Sequence, residues 1–124
     1  MDVAASMIDF ALAHASLDGH IASGPVFAWL GDHVAEPESE AQVLDAVSLE
    51  VAQRYSAGEM TFRQCDEVMS LVWSFCCRPG HPIPDLTHEV FEAFDQGEYD
   101  HGDGADPEAR FTKPMIRRIV NRRT

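Results

Sequence analysis

Basic residues are scarce in this sequence. Nine Lys and Arg stand against 21 Asp and Glu, giving a formal charge of −12 and a pI near 4.6. Such a chain is repelled by phosphates, which argues against DNA, RNA or an anionic membrane surface as a direct partner and favours a basic protein partner or plain solubility. No run approaches the roughly 20 apolar residues needed to cross a bilayer. The start carries Asp2 and Asp9 where a secretory signal would have a basic segment and an apolar run, so a cytoplasmic protein is expected. Cysteine is limited to Cys65, Cys76 and Cys77. An odd number, two of them adjacent, does not form a disulfide framework and fits reduced thiols.

Catalytic signatures are missing too. There is no G-x-S-x-G, no phosphate-cradling glycine loop, no dinucleotide fingerprint and no H-E-x-x-H. Cys77 has His81 and Arg78 nearby, but the acidic surroundings oppose a thiolate, so no enzyme is expected. Cys76, Cys77, His81 and His88 are close in sequence yet lack C-x-x-C spacing, and a buried thiol at Cys76 competes with a zinc site. The acidic stretch from Asp95 to Glu108 fails the EF-hand register. No cofactor and no metal are expected.

What the sequence does contain is helical periodicity. With 124 residues and 45% apolar composition it suits one domain, an all-α bundle of five or six helices. A first helix is expected over 2–18, with Val3, Met7, Phe10, Ala11, His14 and Leu17 on one face and Asp18-Gly19 as its stop. A second begins at Pro25 and presents Val26, Phe27, Trp29 and Leu30. After an acidic connector over 36–40, a third runs from a Ser39 cap to Ser56 with Val43, Ala46, Val47, Val51 and Tyr55 inward. Thr61 and Gln64 form a capping box for a fourth over 61–77, burying Cys65, Val68, Met69, Val72, Trp73 and Cys76. Prolines and a glycine make 78–84 a loop. A fifth helix over 86–96, capped by Asp85, buries Leu86, Val90, Phe91 and Phe94. Residues 97–110 form an irregular acidic loop, and a last helix over 113–122 buries Met115, Ile116, Ile119 and Val120.

Charge is unevenly divided. All 21 acidic residues fall within 1–108, beside only Arg54, Arg63 and Arg78, whereas Arg110, Lys113, Arg117, Arg118, Arg122 and Arg123 crowd the end. The basic helix either docks on the acidic body or offers a separate contact surface. Carboxylates at Glu89, Glu92, Asp95, Glu98, Asp100 and Asp103 are candidates for an anionic partner-binding patch. Tyr99 sits among them, either as an exposed anchor or folded back on the bundle.

The segments Tyr55-Ser-Ala-Gly-Glu-Met-Thr-Phe-Arg63 and Val90-Phe-Glu-Ala-Phe-Asp-Gln-Gly-Glu-Tyr99 resemble the layout of colicin D-type immunity proteins over about residues 55–120. In those small acidic helical proteins a Gly-Glu-hydrophobic-Ser/Thr turn precedes one helix, and a phenylalanine-rich helix leads into an acidic loop and a short last helix. The basic C-terminus departs from that pattern. The resemblance implies an inhibitor that covers the basic site of a nuclease-type toxin with carboxylates. Two other readings stay open: a phage- or plasmid-borne DNA mimic acting on a nucleic-acid-binding complex, and a small adaptor or oligomeric structural protein.

Overall fold

The computed structural model describes residues 2–34 and 37–123, apart from the side chains of residues 37 and 38. The described residues form six α-helices: α1 Val3–Ala13, α2 Ser23–His33, α3 Pro37–Ser56, α4 Phe62–Cys76, α5 Asp85–Gln96 and α6 Lys113–Arg123. Among the described residues there is no strand, only an isolated antiparallel bridge between Ala15 and Ile21. No helix among them is long and apolar enough to cross a membrane.

All six helices contribute to one hydrophobic core. Long α3 lies at its centre, packed on α1, α4, α5 and α6 through Leu44, Val47, Val51 and Ala52. From α4 come Cys65, Val68, Met69, Val72 and Phe75, and from α5 come Leu86, Val90, Ala93 and Phe94. The α4–α5 seam is aromatic: Trp73 stacks on Phe91 at 4.1 Å and Phe62 meets Phe94 at 5.8 Å. The basic last helix docks on the body, burying Ile116 and Ile119 while Met115 and Val120 pack partly buried beside them.

Local chemistry explains where the helices start and stop. Asp2 caps α1, and Thr61 with Gln64 forms the reciprocal box that opens α4, at 3.1 and 3.0 Å. Four boundaries differ from expectation, among them that of α2, which starts at Ser23 and holds Pro25 in its first turn. α1 stops at Ala13 because Ser16 and Asp18 divert the backbone into a turn: Ser16 Oγ donates to Asp18, which also accepts from the His20 amide at 3.1 Å. Leu17 therefore points into solvent and His14 is exposed, not inward. The third helix begins at Pro37, so Ser39 lies inside it and is not its cap; residue 36 of the expected connector lies outside the described residues. Ala46 is exposed, its place in the core taken by Leu44 and buried Ser48. Pro84, not Asp85, occupies the cap position of α5, and Asp85 is an exposed first-turn acid that suits the helix dipole.

The last helix begins at Lys113, as expected, but the end of the loop before it is helical and not irregular. A π-turn over Glu108–Thr112 runs directly into α6. Thr112 is buried and donates through Oγ1 to the Ala93 carbonyl at 2.7 Å. Gly97 permits this close approach, since a Cβ there would stand 2.1 Å from Thr112 Oγ1 and 2.9 Å from the Phe62 ring.

Candidate functional site

The carboxylates singled out above lie along α5 and the loop that follows it, but they divide into two groups. Glu89 is paired with Arg122 at 2.7 Å, and Asp103 with Arg110 at 3.0 Å, so the docked basic helix neutralises both. The Ala105 amide, together with Arg110, holds the Asp103 carboxyl below its usual range. Asp100 accepts from the Gly102 amide at 2.8 Å and stays exposed. Glu92 accepts from Gln96 Nε2 at 2.9 Å beside Arg118 and Arg122, which share a shallow groove with it.

The second group is not neutralised. Asp95 and Glu98 at the end of α5 meet Asp66 on α4, a residue that sequence reasoning missed. Asp66 is half-buried. That desolvation, a hydrogen bond shared with the Glu98 carboxyl, and the charges of Glu98, Glu67 and Asp95 all push its pKa up, to about 8. Burial, with Glu98 and Glu92, also raises Asp95. Among the described residues no Lys, Arg or His makes an ion pair with Asp66, Asp95 or Glu98. Asp66 could have been found from its spacing, because Phe62, Asp66, Met69 and Trp73 fall on one helical stripe facing α5.

Tyr99 is neither fully exposed nor folded into the core. Its ring stacks on His101 at 4.3 Å, and His101 in turn packs on Phe111 at 4.0 Å, yet Tyr99 remains 47% exposed. His101 is itself held by the Gln96 carbonyl at 2.8 Å. This ladder fastens the acidic loop to the start of the last helix, so the loop presents its side chains from a defined position.

The Cys and His residues weighed for metal or nucleophilic chemistry do not converge. Cys76 is buried, and desolvation raises its thiol to about 12; Cys77 is exposed. His81 turns to Glu40 at 3.0 Å and Arg78, while His88 lies over Trp73 at 5.7 Å. Among the described residues no three His, Cys, Asp or Glu side chains are placed to hold a metal ion. Glu40 is a structural pin: burial alone would raise it, but hydrogen bonds from His81 and Arg78 outweigh that and hold its carboxyl below the ordinary range.

Compared with protein-family models, curated proteins and solved structures, the chain matches none.

Proposed function

We propose that this chain is a binding protein whose anionic face masks a basic protein, as an immunity or inhibitor protein masks a nuclease-type toxin. What carries the reading is the convergence of Asp66, Asp95 and Glu98 without a counter-charge from the chain itself. Gathering like charges costs stability, and a cationic side chain from a partner would relieve that cost on binding. A cationic nuclease site is such a partner, and carboxylates held by two packed helices would meet it with little reordering. Glu92, Asp95, Glu98 and Asp100 supply charge in this reading, Asp66 supports them from α4, and Tyr99 anchors the rim. Glu89 and Asp103 contribute less, because Arg122 and Arg110 already occupy them.

The test is affinity capture from the native host, with wild-type chain and an Asp95→Lys/Glu98→Lys double variant as baits, each at low and high salt. A basic protein retained by the wild type at low salt, and lost both at high salt and with the variant, supports the reading. Equal recovery of the same proteins by both baits would refute it.

A further inference from the structure

A cleft of about 380 Å³ opens on a different part of the molecule, between the end of α3, the start of α4 and the first turns of the last helix. We propose that it binds a small monoanionic organic ligand, a carboxylate carrying an aromatic or branched apolar body. The volume lies within the usual range for small-molecule sites. Met60, Phe62 and Ile116 give the cleft an apolar wall, and Tyr55 is fixed beside them by an edge-on contact with Phe94 at 5.2 Å. Lys113 and Arg117 stand one turn apart on α6 and line the same cleft. Among the described residues neither has an ion-pair partner, although Arg110 and Arg122 on the same helical segment do.

The one acid in the lining is Glu108, and its carboxylate already accepts the Tyr55 hydroxyl. Two cations against one engaged carboxylate leave room for a single negative charge, which selects a carboxylate over a doubly charged phosphate. The π-turn over Glu108–Thr112 borders the cleft, and such turns recur where helices are shaped for function. The cleft uses none of the residues of the anionic face, so it stands or falls independently of the masking role.

Titrating the full-length ¹⁵N-labelled protein with 2-naphthoate, and following amide shifts by NMR, tests the site. Saturable shifts confined to residues 55–62 and 108–117 are expected. Binding should be weaker by roughly tenfold or more for the uncharged 2-naphthalenemethanol and for a Lys113→Gln/Arg117→Gln variant. Both substitutions sit at exposed positions, and an unchanged circular dichroism spectrum shows that the variant is folded. The proposal is overturned by any of four results: no saturation at millimolar naphthoate, equal affinity for the alcohol, equal affinity of the folded variant, or shifts that follow Arg118, Arg122 and Arg123 and bypass the cleft. Inorganic phosphate binding as tightly as naphthoate would also overturn it, since the apolar wall would then play no part.

Discussion

Replacing Asp66 with Asn should make the protein more stable at neutral and alkaline pH while weakening any capture of a basic partner. In the folded chain the Asp66 carboxyl is pushed up to about 8, by burial first and then by Glu98 and its neighbours, whereas in the unfolded chain it titrates near 3.8. The native state therefore holds more protons than the unfolded state between these values, and stability falls as pH rises through that window. Each unit of upward shift corresponds to about 1.4 kcal/mol, but Asp66 is only half-buried and water screens the repulsion, which brings the effect down to the order of 2 kcal/mol at pH 8. Asn keeps a donor for Glu98 and carries no charge. Urea unfolding at pH 8 should show the variant stabilised by about that amount, equivalent to a rise in Tm of several degrees. Toward pH 4.5 the two proteins should converge. A variant no more stable than wild type at pH 8, or one with the same advantage at both pH values, would refute the argument.

Other substitutions probe the frame that positions the face. Gly97→Ala should destabilise by roughly 2–3 kcal/mol in urea unfolding, because the new methyl collides with Thr112 and Phe62, both held in packed positions. Glu40→Ala should cost about 1–2 kcal/mol at pH 7 by releasing Arg78 and His81. Since Glu40 is held below its ordinary range, the stability it gives is present above the unfolded value near 4.5 and lost as pH falls through the lower folded value, so the cost should fade in acid. Thr87→Val removes a buried hydroxyl that donates to Asp45 at 2.9 Å and accepts from Ser48 at 3.2 Å, and thermal unfolding should show a loss of about 1–3 kcal/mol.

Much of the architecture is legible in the sequence because it is written locally. The Thr61–Gln64 box, the Pro-rich break after Cys77 and the apolar stripes of α4 and α5 each depend on neighbours within a turn or two. Misreadings arise where two local rules compete. Helical spacing continues through Leu17, but the side chains of Ser16 and Asp18 claim the backbone first. The candidate site is less legible because its partners are distant in the chain. Sequence proximity grouped Glu89 and Asp103 with Asp95 and Glu98, whereas docking of the last helix separates them by pairing the first two with Arg122 and Arg110. Asp66 entered the site only through the packing of α4 on α5. The cleft around Tyr55 likewise depends on a contact with Glu108 that no periodicity encodes.

Carboxylates held together without a counter-charge are the centre of the proposed masking face, and an NMR titration of the aspartate and glutamate side-chain carboxyls measures their state directly. Asp66 and Asp95 should titrate above the ordinary aspartate range, with Asp66 the higher, and a charge-neutral Glu98→Gln variant should bring both down. If both titrate near 4 in the wild type, their charge is already compensated, and the anionic face has no unmet demand for a cationic partner.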